Sequence, residues 1–218
     1  MGNNNITELV MILDRSGSMA GLESDTIGGF NAMLEKQKKQ EGTCYVTTVL
    51  FDSTIQTLHD RLQLDKVRPI TCEDYTVGGC TALLDAVGGT IRHVSDIHRY
   101  VRPEDVPAHT LFVIITDGLE NASRNYRAET VKRMINQKKE DPGWEFLFLG
   151  ANIDAVSEAA RIGIGKERAV TYCSNSAGVA ENFNAVGDLS CSLRATGKLD
   201  VSRIEKLKKN FKEKSGIR

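Results

Sequence analysis

Leu9-Val10-Met11-Ile12-Leu13, Leu111-Phe112-Val113-Ile114-Ile115 and Phe146-Leu147-Phe148-Leu149 are apolar runs with no polar residue between their members. A strand wetted on one face alternates apolar with polar. A strand that does not alternate is covered on both faces, as in the middle of a parallel sheet flanked by helices. Helix-like spacing fills the intervals: Ile27, Phe30 and Leu34; Leu84, Val87, Ile91 and Val94; Val131, Met134 and Ile135; the segment Ala155 to Arg161; and Val179, Phe183, Val186 and Leu193. Tyr45 to Phe51 reads as a further strand, and Asp52-Ser53-Thr54 as a tight turn into a short antiparallel partner at Ile55 to His59. Asp141-Pro142-Gly143 is a turn before the strand Glu145 to Gly150, and Ala169 to Tyr172 supplies the last strand. This alternation predicts an α/β fold. It has a doubly wound, mostly parallel central sheet, helices on both faces, right-handed crossovers and one short antiparallel edge strand.

Because such sheets place ligands outside the carboxyl ends of their strands, the residues leaving those ends carry functional information. The first run ends in Asp14-Arg15-Ser16-Gly17-Ser18, and the second, extended by Thr116, ends in Asp117-Gly118. Between them the turn Gly78-Gly79-Cys80-Thr81 delivers another hydroxyl just ahead of a helical pattern. Asp14, Ser16, Ser18, Thr81 and Asp117 are therefore candidate ligands of a hard divalent cation, Mg²⁺ or Mn²⁺. Carboxylate and hydroxyl oxygens suit those ions better than the thiolate and imidazole sites that attract zinc. Two carboxylates only balance the charge of a divalent ion and three hydroxyls add none, so an ion held this way keeps Lewis acidity toward an outside anion. Each residue has a plainer reading by itself. Ser16 and Ser18 are suitable caps for the helix after Gly21, Thr81 for the helix that starts at Ala82, and Asp117 is an ordinary turn residue before glycine.

Taken together, in this order, the five residues resemble the metal-ion-dependent adhesion site of the von Willebrand factor type A domain, as in integrin inserted domains. There the pattern is Asp-x-Ser-x-Ser, a distant Thr, and an Asp before Gly. The resemblance spans Ile6 to Thr196 and points to a bacterial or phage-type cytoplasmic member with a Rossmann-like fold. It implies a non-enzymatic protein-binding module, in which a partner protein completes the ion's coordination with an Asp or Glu carboxylate. Met19, Glu23, Glu120 and Asn121 would then border the ion and contact the partner, or be ordinary loop residues. The alternative function is a scaffold or regulatory subunit with a structural metal. A more distant one is an aspartyl-phosphatase-like hydrolase, which needs a second carboxylate where this chain has Ser16. Gly163-Ile164-Gly165 lacks the third glycine of a dinucleotide fingerprint, and no Walker A lysine is present.

The chain's 218 residues fit one domain, and 40% hydrophobic with 26% charged residues is ordinary for a soluble globular protein. Cys44, Cys72, Cys80, Cys173 and Cys191 form no CxxC pair and read as free thiols, with Cys80 as a small buried filler or, less simply, a redox sensor. The spacing of His59, His93, His98 and His109 offers no zinc site. Met1 to Asn5 carries no signal-peptide pattern, and no apolar run is long enough to span a bilayer, so a cytoplasmic protein without membrane attachment is expected. Residues 197–218 differ from the rest: from Lys198 onward eight basic residues face three acidic ones, in a chain whose net charge is −1. Ile204, Leu207 and Phe211 give this basic tail an apolar stripe, suited to docking on the domain or on an acidic protein partner. No aromatic interleaving favours nucleic acid.

Overall fold

The computed structural model describes residues 5–140, 143–151 and 153–215. Asp141 and Pro142 of the expected turn, and positions 1–4 of the amino terminus, lie outside them. One sheet holds six strands: β1 Ile6–Asp14, β2 Thr43–Phe51, β3 Ile55–Gln63, β4 His109–Thr116, β5 Trp144–Ala151 and β6 Ala169–Tyr172. Their order is β3-β2-β1-β4-β5-β6, and every neighbouring pair is parallel except β2 with β3. The helices are α1 Glu23–Lys38, α2 Leu83–Tyr100, α3 Ala128–Glu140, α4 Ala155–Arg161, α5 Ser176–Thr196 and α6 Val201–Ser215.

The pleat of β1 divides the core. Leu9, Met11 and Leu13 join a cluster with Phe30 and Leu34 of α1 and with Val179, Phe183 and Val186 of α5. Val10 and Ile12 face the other way, into a cluster with Val87 and Ile91 of α2, Val131 and Ile135 of α3, and Ala155 and Ala159 of α4. Both faces of the strand are therefore buried, which is why its sequence shows no alternation. Truncating Ile12, fully buried, to Ala is expected to cost about 2–5 kcal/mol. The carboxyl end of α1 is held by Arg194 of α5, whose buried guanidinium donates to the carbonyls of Gln37, Gln40, Glu41 and Gly42. A cation at a helix carboxyl end also meets the negative pole of the helix dipole.

One expectation needs revision, and one alternative is decided. The antiparallel strand is not short: β3 continues past His59 to Gln63. Asp60 and Arg61 break the apolar alternation, but the pairing accommodates them through register shifts opposite Thr48 and a left-handed backbone at Arg61, φ 46°. Arg61 is repaid for that conformation by stacking 4.4 Å over the Tyr45 ring and by approaching the buried Glu8 carboxylate. The basic tail, in turn, is docked on the domain along α6. Ile204 and Leu207 are buried in the α1–α5 cluster, while Phe211 is only half-buried.

Candidate metal centre

The winding of the sheet reverses between β1 and β4. From β1 the chain passes to β2 on one side, and from β4 to β5 on the other, so no crossover covers the cleft above their carboxyl ends. Asp14 closes β1 and Thr116 closes β4. Thr116 Oγ1 donates to Asp14 Oδ2 at 2.5 Å, and the Ser16 amide donates to Asp14 Oδ1 at 2.7 Å. Tyr75, itself buried, donates its hydroxyl to the Asp14 carbonyl. Backbone and side chain of Asp14 are thus both fixed.

Three loops meet over this point. A short 3-10 turn, Gly17–Met19, places Ser16 Oγ 3.2 Å from Ser18 Oγ, and Ser18 donates to Asp117 Oδ1 at 2.5 Å. The glycine turn is laced to the first loop, with the Gly78 amide on the Arg15 carbonyl at 2.9 Å and the Gly17 amide on the Gly79 carbonyl at 3.1 Å. Gly79 adopts φ +72°, and a Cβ there would stand 2.8 Å from Ser53 Oγ, so the tight approach requires glycine. Gly118 marks where the hydroxyls converge. A Cβ at this position would lie 2.8 Å from Thr81 Oγ1, 3.3 Å from Ser18 Oγ and 3.7 Å from Ser16 Oγ. One point next to Asp117 is therefore within van der Waals reach of all three hydroxyls.

The helix-capping readings of these residues do not hold. The N-cap of α1 is Leu22 and that of α2 is Ala82, neither with a side-chain cap bond, and Ser16 makes none at the 3-10 turn. The amides at the start of α2 find other acceptors. Glu120 Oε2 receives Leu84 at 2.9 Å and Ser123 Oγ receives Asp85 at 3.0 Å. The hydroxyls of Ser16, Ser18 and Thr81 are accordingly left for the cleft.

Both carboxyls are raised above the usual carboxylate range. For Asp14 burial is the main cause, partly offset by hydrogen bonds from Ser16 and Thr116. For Asp117 burial again leads, Ser18 offsets it, and the neighbouring charge of Asp14 adds to it. Among the described residues neither carboxylate has a Lys, Arg or His as an ion-pair partner, and no group of three or more His, Cys, Asp or Glu residues could hold a metal without hydroxyl help. Asp14, Ser16 and Thr81 are buried, Asp117 is half-buried and Ser18 is exposed, so two acids and three hydroxyls, without an ion-pairing cation among the described residues, line a cleft open to solvent and suit a hard divalent ion.

The surrounding residues differ from the expected border. Met19 is no border residue: the 3-10 turn folds its side chain into the core, 1% exposed. Glu23 accepts from the Gly21 amide at 2.7 Å. Glu120 is turned inward, where besides Leu84 it receives the amides of Ala122 and Ser123 and the Ser123 hydroxyl. Asn121 is exposed, and its Oδ1 takes the Thr81 amide at 2.9 Å. Cys80 is exposed and so fills no core space. Thr116, Tyr75 and Asp85, which receives the amides of Arg124, Asn125 and Tyr126, also organise the site and were not anticipated. Thr116 could have been noticed, since it stands between a buried apolar run and Asp117; Tyr75 lies in an irregular loop with no periodic signal.

By sequence the chain matches no protein-family profile and no curated protein. By structure it is similar to several solved proteins. Proximal thread matrix protein 1 from the mussel byssus, with a zinc-occupied metal-ion-dependent adhesion site, aligns at TM-score 0.57 and 16% identity, over 85% of this chain and 46% of that one. A von Willebrand factor type A protein from Catenulispora acidiphila aligns at 0.56 and 14% identity, over 85% and 43%. Manganese-loaded TRAP from Plasmodium vivax aligns at 0.51 and 17% identity, over 83% and 74%. The chain spans less than half the length of the first two. These likenesses establish its fold, which is that of the von Willebrand factor type A domain.

Proposed function

We propose that Asp14, Ser16, Ser18, Thr81 and Asp117 hold Mg²⁺ or Mn²⁺ and that the domain, residues 6–196, uses this ion to bind a protein partner. The observation that carries the reading is the convergence of three hydroxyls on Gly118 between two acids that have no ion-pairing cation among the described residues. When bound, the ion supplies a Lewis-acidic site for an Asp or Glu carboxylate of the partner. The protein's part is positional. Thr116 and the Ser16 amide orient Asp14, Ser18 orients Asp117, and Asn121 fixes Thr81. With Ser16 where a phosphatase's second carboxylate would stand, a binding role fits better than hydrolysis. Free cysteines, Cys72 and Cys80 both exposed, suit a reducing compartment such as the bacterial cytoplasm. Among the described residues no helix is long and apolar enough to cross a membrane.

Calorimetry with Mn²⁺ and Mg²⁺ tests the ion. Wild-type protein should take up one, and Asp14→Asn and Gly118→Ala should not. Affinity capture with and without chelator tests the partner, whose retention after chelation would end the adhesion reading.

A groove favours the scaffold alternative in addition. Between α6 and β6 lies a space of about 600 Å³, floored by Val156, Ala169 and Phe211 and bordered by Lys166, Lys208, Lys209 and Lys212 against Glu167 and Glu205, a net positive rim. An acidic protein segment with an apolar anchor suits it, and such binding would survive both chelator and Asp14→Asn.

A further inference from the structure

We infer that the partner's metal-binding acid is accompanied by an adjacent apolar side chain, which packs on Leu119. This rests on the metal-site reading above and adds the chemistry of the ligand to it. Leu119 is 54% exposed, second only to Tyr100 among the six exposed large hydrophobic residues of the described residues, and it directly follows the glycine on which the cleft hydroxyls converge.

Its exposure is held in place. On its amino side Asp117 is tied by Ser18 and Gly118 by Thr116, whose hydroxyl accepts the Gly118 amide at 3.2 Å. On its carboxyl side Glu120 takes four hydrogen bonds, and the amides of Asn121 and Ala122 donate to the Thr81 carbonyl at 3.1 and 3.2 Å. A loop free to move could fold a leucine onto the core. This one is pinned on both sides with the leucine outward. The other acids near the loop are otherwise engaged: Glu120 is consumed in amide contacts, and Asp85 of α2 receives three backbone amides. Apolar contact is thus what the loop offers beside the cation. Covering a half-exposed leucine strengthens binding by about tenfold.

A displayed library of random peptides, panned on the full chain in Mn²⁺ and released with chelator, provides the test. Wild-type protein should return sequences in which Asp or Glu neighbours Leu, Ile, Val or Phe. Leu119→Ser should return the acid without the apolar neighbour. It should also bind a wild-type-selected peptide about tenfold more weakly, with Mn²⁺ uptake by calorimetry unchanged. Acid-bearing sequences without apolar enrichment on wild type, or enrichment that persists on Leu119→Ser, would overturn the inference and leave the metal site standing. Failure to recover any chelator-released acidic sequence would overturn it as well, and Mn²⁺ calorimetry then decides whether the metal site falls with it.

Discussion

Strand β1 buries an acid near each end, Glu8 at 0% exposure and Asp14 at 1%, and the two are treated oppositely. Glu8 is answered within the protein: the Arg61 guanidinium Nε stands 3.5 Å and His98 Nε2 2.7 Å from its Oε2, with Thr47 Oγ1 3.4 Å from Oε1. Asp14 meets only neutral donors, and a second acid stands nearby. A buried charge is tolerable when it is paired, and costly otherwise. The amino end of the strand is complete as folded. The carboxyl end is left in deficit of positive charge, which is the condition for drawing an ion from solution.

The largest effect should come from the completed end. Glu8→Ala leaves the Arg61 guanidinium without its acid partner and His98 without its hydrogen-bond partner, and should cost about 3–5 kcal/mol in urea unfolding. At the other end, Mn²⁺ at a hundredfold excess over its Kd should add about 2.7 kcal/mol to unfolding, reversibly with chelator and not at all in Gly118→Ala. Asp14→Asn should shift the metal-free protein by no more than about 1 kcal/mol, in the stabilising direction if burial of an unpaired charge is the dominant cost. Equal losses for Glu8→Ala and metal-free Asp14→Asn would abolish the contrast between the two ends.

The smallest effect concerns His59, a buried group hydrogen-bonded to Thr48 Oγ1 at 3.0 Å. Burial, then the charge of Arg68, pushes its pKa below the ordinary 6.5. The folded protein then binds fewer protons than the unfolded chain, so this contribution is present above 6.5 and is lost as pH falls below it. Urea midpoints across that window, compared with His59→Gln, should show the slope disappear in the variant.

Much of this was legible beforehand because it rested on periodicity. The buried strands, the amphipathic helices and the order of Asp14, Ser16, Ser18, Thr81 and Asp117 all follow from spacing along the chain. Placement in loops did not follow from it. Met19 and Glu120 stand beside site residues in sequence, yet one side chain turns into the core and the other onto the amides of α2. Nearness in sequence says nothing about direction in an irregular segment, where hydrogen-bond demand decides. Leu119 went unnoticed for the same reason, since a leucine after a buried strand is by default a core residue. The length of β3 was underestimated because Arg61 pays for its backbone conformation through Glu8 and Tyr45, both far from it in sequence.

Ser18 and Asp117 touch across 99 positions of chain. During synthesis on the ribosome, the first serine loop emerges long before its counterpart, so no nascent fragment ending short of residue 118 can assemble the crevice. Proteolytic halves divided between 18 and 81 would likewise have to reassociate to regain it. On the proposed reading, ion uptake would require both loops to be in place, and a titration with manganese would double as an assay of their assembly.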